Sequence, residues 1–139
     1  MSLLLLRIGG ERYGLELKAL QEVADDPPVY FVPQGGGFLL GAINLHGRVL
    51  PVIDLPALLG FAEASRDQRL VVLSPEFHSL ALAVSEVGRI VPFDAGNRQT
   101  SVADSELPAV TGVVEIDAQP VNLLDAGAVV KQLQNLYAA

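Results

Sequence analysis

The sequence predicts a mainly β protein assembled from two copies of one small unit. Three observations lead there. Short runs rich in Leu, Ile and Val recur between breaks made of Gly, Pro, Asp and Ser. Two of these breaks, His46-Gly47-Arg48 and Asp117-Ala118, are polar turns between paired apolar runs, as in β-hairpins whose arms are largely buried. The third is a weak internal correspondence. Gly41 is followed thirteen residues later by Asp54, and Gly112 thirteen residues later by Asp125. Between them Ile43, Leu45, Leu50, Val52 and Ile53 superimpose on Val114, Ile116, Val121, Leu123 and Leu124 without a gap. Upstream, Leu15-Glu16-Leu17 followed by Glu22-Val23 aligns with Leu80-Ala81-Leu82 followed by Glu86-Val87 once one residue is deleted. Each half then reads as strand, strand, polar break, strand, hairpin, capped helix.

The elements follow in order. Leu3 to Ile8 and Arg12 to Leu17 read as strands joined through Gly9-Gly10-Glu11, and in the second Tyr13, Leu15 and Leu17 alternate with Gly14 and Glu16. The Leu3–Leu6 run has no preceding positive charge and is followed at once by Arg7, which reads as a buried first strand and not as a signal peptide or membrane span. Lys18 to Val23 forms a helical turn leading into a strand, which Asp25-Asp26-Pro27-Pro28 ends. Val29 to Pro33 is extended, and Gln34-Gly35-Gly36-Gly37 is a linker into the first hairpin. Within that hairpin Gly47 is the natural site for a positive φ, and Pro51, lacking a donor, belongs at an edge or bulge. Asp54 is placed to cap a short helical turn that has Pro56 in its first turn and Gly60 as its stop.

Ala62 to Gln68 is polar and reads as the exposed connection between halves. Arg69 to Leu73 is a β-branched strand, Ser74-Pro75-Glu76 turns it, and His78 to Val84 returns. Ser85 to Arg89 interrupts, Ile90 to Phe93 resumes, and Asp94 to Pro108 has no usable period and reads as a loop. Val110 to Ile116 and Gln119 to Leu123 form the second hairpin. Asp125 then caps a C-terminal helix whose Val129, Val130, Leu133, Leu136 and Tyr137 fall on one face.

Composition narrows the function. A chain of 139 residues, 50% apolar, suffices for one compact domain, or for two small lobes sharing a core, and is too short for more. The formal charge of −7 and nine scattered basic residues argue against a nucleic-acid surface. No cysteine is present, so disulfides, thiol nucleophiles and cysteine-based zinc sites are excluded. Charged residues are 18% of the chain, below the usual level of about 25%, which hints at surfaces covered by partners.

The search for chemistry yields little. His46 and His78 are isolated, with no metal-ligand spacing. His46 fits either an exposed turn residue or a partner contact, and His78 a structural role. Asp54 and Asp125 sit where helix caps are needed, Gly35-Gly36-Gly37 lacks the lysine and helix of a phosphate loop, and no serine stands in a nucleophile elbow. The expectation is a protein that is not an enzyme and uses no metal or cofactor.

Gly41-Ala-Ile-Asn-Leu-His-Gly-Arg-Val-Leu-Pro-Val-Ile-Asp-Leu55 closely resembles the signature of CheW-type chemotaxis coupling proteins, usually G-x-x-N-L-R-G-x-V-L-P-V-I-D-L. Gly10-Glu-Arg-Tyr-Gly-Leu-Glu-Leu17 with Leu20-Gln-Glu-Val23 is similar to the family's opening. Leu80-Ala-Leu-Ala-Val-Ser-Glu-Val87 resembles its second-half strand, and Thr111-Gly112-Val113 the start of its final hairpin. The resemblance covers nearly the whole chain.

It implies one domain over residues 1–139, made of two intertwined SH3-like five-stranded β-barrel lobes around a shared core. The first lobe covers about 12–60 and the second about 66–124 with strand exchange, and a C-terminal helix covers 125–137. It also implies a non-enzymatic adaptor joining the cytoplasmic tips of chemoreceptors to the CheW-like regulatory domain of a CheA-type histidine kinase. Such an adaptor is cytoplasmic, held in receptor arrays at the inner face of the membrane, with no membrane insertion and no nucleic acid. Carried across by position, the contact residues are Leu20, Gln21, Glu22 and Val23, then Gly41, Asn44, His46 and Gly47, then Val87 and Gly88. Leu20, Val23 and Val87 suit a core role equally well, and Gly41 and Gly47 a backbone one. Arg is usual where His46 stands and Asp where Ser85 stands, which points to a divergent coupler in a non-flagellar pathway, such as pilus motility or second-messenger control, or to one that has lost an interaction. The alternative function is a small-ligand sensor using the groove between lobes.

Overall fold

Most apolar runs of the chain become strands, and their pairing exchanges the two halves. The computed structural model describes residues 1–31, 37–61, 65–94, 98–99 and 109–137. The strands are β1 (Ser2–Ile8), β2 (Glu11–Glu16), β3 (Leu20–Asp25), β4 (Leu39–Leu45), β5 (Arg48–Asp54), β6 (Arg69–Leu73), β7 (Ala81–Ala83), β8 (Glu86–Pro92), β9 (Arg98–Gln99), β10 (Val110–Ile116) and β11 (Gln119–Leu124). A 3₁₀ turn, Leu17–Ala19, leads into β3; helix α1 is Leu55–Leu58 and α2 is Ala126–Tyr137.

One sheet runs β3-β6-β7-β5-β4 and the other β8-β1-β2-β11-β10, with β9 added at its edge. The two orders match strand for strand, down to one parallel pair in each, β5 with β7 and β11 with β2. Each half therefore sends its first two strands into the other lobe: β1 and β2 lie in the second, β6 and β7 in the first. The two hairpins repeat the same register, including the shift before Gly41↔Val52 and before Gly112↔Leu123.

The exchange divides the apolar residues into three cores. Ile43, Leu50, Val52, Leu70, Val72 and Ala81 fill the first lobe. Leu3, Leu5, Val91, Val114, Val121 and Leu123 fill the second. Between them lies the largest cluster, with Leu4, Leu6, Tyr13, Leu15, Val71, Leu73 and Leu82 from the exchanged strands. Strand β1 has both faces buried because its odd positions serve one core and its even positions the other, so it reads as a continuous leucine run and not as an alternation. Helix α2 closes the shared core with Val129, Val130 and Leu133.

Several expectations are corrected. The strand foreseen over His78 to Val84 is only Ala81–Ala83, and His78 is exposed in the preceding turn. Strand β8 begins at Glu86, inside the foreseen interruption, and its register against β1 shifts between Val87 and Ile90. Within the stretch read as loop, β9 pairs with β10. Leu136 is 48% exposed and not part of the helix's buried face, while the side chain of Tyr137 and most of the linkers at 32–36, 62–64 and 95–108 lie outside the described residues. The upstream alignment is shifted too. The parallel ladders set Leu15 opposite Leu124 and Leu82 opposite Ile53, so Leu15 corresponds to Leu82 and not to Leu80. The antiparallel ladders then equate Leu20 with Val87, Glu22 with Arg89 and Val23 with Ile90. Alternating apolar residues match themselves at every second position, so sequence alone could not choose among these registers.

Pro51 lies in β5 between two partners, yet the ladder with β7 starts only at Val52, so no donor is required of it. Asp54 stands at the N-terminus of α1 without a side-chain capping bond. It is buried and receives both Nε and an Nη of Arg66, at 2.6 and 2.9 Å. Asp125 does cap, accepting the Ala128 N–H at 3.0 Å.

Candidate partner-binding surface

The 3₁₀ turn delivers β3 to the surface with a register shift between Leu20 and Glu22, and this bulge sets the directions of the candidate contact residues. Leu20 turns inward, half-buried against the shared core, while Gln21 and Val23 are exposed. Glu22 Oε1 lies 2.9 Å from His46 Nε2 at the tip of the first hairpin, and Gln21 Nε2 donates to the same oxygen at 3.3 Å. The pair draws the two terminal strands of the sheet, β3 and β4, toward each other across the barrel seam.

The tip itself is a tight turn in which both central residues, His46 and Gly47, have positive φ, 53° and 83°. Asn44 Oδ1 accepts the Gly47 N–H at 3.1 Å and holds the turn. Arg48 donates to Ser79 Oγ at 2.6 Å, a second tie from hairpin to barrel wall. Gly41 lies at the base of the hairpin, buried, where the chain at Tyr30 pairs with Ala42; a Cβ at Gly41 would collide with the Tyr30 carbonyl oxygen. The structure thus brings Gln21, Glu22, His46, Gly47 and Asn44 to one exposed region, and makes Gly41 a packing requirement below it.

Val87 and Gly88 belong to the other lobe. By ladder position they are the counterparts of Leu20 and Gln21, so the two sequence-derived segments are one surface feature seen twice. Val87 is buried in the shared core, with its N–H on Asp67 Oδ2 at 2.8 Å and its carbonyl on Arg69 at 2.9 Å. Gly88 is exposed, and a Cβ there would approach the Leu5 carbonyl oxygen to 2.9 Å. Next to it Arg89 pairs with Asp117 at the tip of the second hairpin. Ser85 is half-buried and accepts the Gly9 N–H at 3.1 Å, so it serves the chain's own turn.

Sequence reasoning missed the residues that join the lobes. Asp67 and Arg66 sit in the stretch read as an exposed connection, yet Asp67 accepts from the Arg69 side chain at 2.9 Å, from the Arg69 N–H at 2.9 Å and from the Val87 N–H. Burial alone would raise the Asp67 pKa. The bonds from Arg69 and the two backbone N–H groups outweigh it, and the value falls from 3.8 to about 2. No local signal marked them, because Asp67-Gln68-Arg69 is a polar composition that exposed connections share. Tyr13 is fully buried, and desolvation with the adjacent Glu11 pushes its phenol upward, so it stays protonated.

A pocket of about 240 Å³ lies between the lobes, lined in part by Gly14, Glu16, Lys18, Phe77 and Asp125. None of the candidate contact residues lines it. Its Glu16 and Lys18 bond each other at 3.2 Å, and its Asp125 is used by α2. Among the described residues no three of His, Asp and Glu gather as metal ligands, and no helix is long and apolar enough to cross a membrane.

Comparison with known proteins agrees with this architecture. The chain is 27% identical over 133 residues to the chemotaxis protein CheW of Rhizobium meliloti, covering 92% of this chain and 86% of that one. It is 26% identical to the probable chemotaxis protein CheW of Rhizobium etli, covering 96% and 90%. The crystal structure of the scaffolding protein TtCheW from Thermoanaerobacter tengcongensis superimposes with a TM-score of 0.80 at 23% identity, covering 89% of this chain and 88% of that one, and so shares its fold. The CheW-like domain family matches residues 2–134, and the chain therefore belongs to that family.

Proposed function

We propose that this protein is a non-enzymatic adaptor of chemosensory signalling that couples chemoreceptor tips to the regulatory domain of a CheA-type histidine kinase. The observation that carries the reading is the duplicated surface. Each lobe offers a bulged strand and a hairpin tip bound to it by one exposed polar pair, Glu22 with His46 and Arg89 with Asp117. Polar groups so paired are poor chemical machinery, but two similar surfaces on one body suit simultaneous grip by two proteins. The curated relatives carry the name CheW, and a fold neighbour is described as a scaffolding protein. The residues read as contacts are Gln21, Glu22, Val23, Asn44, His46, Gly47 and Gly88, with Leu20, Gly41 and Val87 shaping the surface from beneath. The proposed setting is the cytoplasmic face of a receptor array.

The test is co-purification of the full chain with the kinase regulatory fragment and with a receptor-tip peptide encoded beside it. Retention of both supports coupling, and retention of neither overturns it. His46 and Ser85, in place of the family's usual Arg and Asp, support a divergent, non-flagellar pathway. His46→Arg would keep the tie to Glu22 and add a permanent fork of donors. The expected outcome is tighter kinase binding at unchanged melting temperature, and unchanged affinity would show that position 46 does not limit coupling. A small-ligand sensor is less well supported, because the polar groups noted in the inter-lobe pocket already bond within the protein.

A further inference from the structure

In a chain of charge −7 with only nine basic residues, three arginines come together at the open end of the second lobe. Arg7 and Arg12 stand opposite each other on β1 and β2, continuing the inward face that buries Leu5, and Arg89 comes from β8 on the other side of β1. They line a cavity of about 360 Å³, and Arg7 and Arg12 also line an adjoining one of about 480 Å³.

Their charges are unequally met. Arg89 is held by Asp117. Arg7 Nε is 3.8 Å from Glu86, beyond hydrogen-bond length. Arg12 donates through one Nη to neutral oxygens, Gln119 Oε1 at 2.8 Å and the Ile116 carbonyl at 3.2 Å. Glu11 borders the second cavity and accepts weakly from the Tyr13 hydroxyl at 3.3 Å. Two neutral acceptors thus aim the Arg12 guanidinium without cancelling its charge, and its planar fork suits a carboxylate. The first lobe is an internal control. The same ladder positions there hold Ser74 for Arg7, Ser79 for Arg12 and Glu22 for Arg89.

We propose that the end of the second lobe is a carboxylate acceptor, in which Arg12, flanked by Arg7 and Arg89, takes an acidic side chain from a loop of a partner protein. The inference deepens the adaptor reading and rests on it, giving one of the two surfaces a chemical preference that the other lacks. The test is titration of the isotopically labelled full chain with a hexaglutamate peptide, followed by NMR. Saturable shifts are expected at Arg7, Gly88, Arg89 and Gln119, with none at Glu22, His46 and Ser79. Arg12→Gln should weaken binding by about five-fold or more and Arg48→Gln should not. Arg7→Gln removes no hydrogen bond of the fold and should weaken binding by about two-fold, so the proposal is testable even if Arg12→Gln perturbs folding. Equal shifts in both lobes, or affinity unmoved by both Arg12→Gln and Arg7→Gln, would overturn it. So would saturation of the same resonances by inorganic phosphate at lower concentration, which would make the site one for small oxyanions. The peptide assay uses neither kinase nor receptor: a chain that couples both partners yet ignores hexaglutamate retains the adaptor reading and loses this one.

Discussion

The two lobes share strand order, hairpin register and even the bulges, yet they tie their hairpins down with opposite polarity. In the first lobe the nitrogen groups ride on the hairpin, the imidazole of His46 and the guanidinium of Arg48, and the wall supplies Glu22 and Ser79. In the second lobe the wall carries the cations, Arg89 and Arg12, and the hairpin supplies Asp117 and Gln119. A tie across a barrel seam needs complementary groups at two positions and is indifferent to which side holds the charge. What the exchange changes is the outward face: the second lobe's wall becomes cationic, while the first lobe's hairpin tip presents the His46 imidazole. Duplicated folds keep the backbone solution and can vary its surface.

Substitutions at corresponding positions should separate the two lobes by stability. The largest effect is expected at the paired aspartates. Asp54→Ala removes the buried carboxylate that two Arg66 nitrogens bond and should cost about 3 kcal/mol, whereas Asp125→Ala removes one cap bond and should cost about 1 kcal/mol. Denaturant midpoints of the two variants check this, and equal losses would mean that the aspartates do the same work. Next comes the junction, where Asp67→Asn should cost about 2 kcal/mol through weakened bonds to Arg69 and Val87.

The same residue carries a pH dependence. Its folded pKa of about 2 lies below 3.8, so the fold favours the ionised form; the stabilisation is complete above about pH 4 and is lost as pH falls from 3.8 toward 2. Melting temperature followed from pH 5 to pH 2 should fall less steeply in Asp67→Asn than in the natural chain.

The turns give a smaller contrast of opposite sign. Ala118 has a φ of 61° in the second hairpin, a conformation unfavourable for any residue with a Cβ, whereas Gly47 takes 83° in the first. Ala118→Gly should therefore raise stability by about 1 kcal/mol and Gly47→Ala lower it by a similar amount, both read from thermal unfolding. Smallest of all are the seam pairs. Glu22→Ala and Arg89→Ala should each shift stability by less than about 0.5 kcal/mol, because three of the four side chains involved are more than 60% exposed. A larger loss in either would make that tie part of the barrel's closure and not only of its surface.

Much of this was readable before any coordinates. The hairpins announce themselves by apolar arms around short polar turns, and their mutual correspondence holds residue for residue. The candidate contacts divided differently. Gln21, Glu22 and His46 meet at one place, because motif positions survive folding, whereas Val87 proved to be core and its exposed neighbour Arg89 went unremarked. A hydrophobic residue on a bulged strand does not declare its face, since the bulge resets the alternation on which such a reading depends.

Local chemistry by itself determined most of the strands, the hairpin turns, the cap at Asp125 and the correspondence of the two hairpins, since each rests on short-range pattern along the chain. Only the tertiary structure decided that β1 and β2 pair across halves, that Asp54 answers to Arg66 instead of its helix, and that Arg7, Arg12 and Arg89 share one opening. Those outcomes depend on pairing between strands distant in sequence. A period-two pattern of apolar residues fits several registers equally, and burial of three cores at once leaves one.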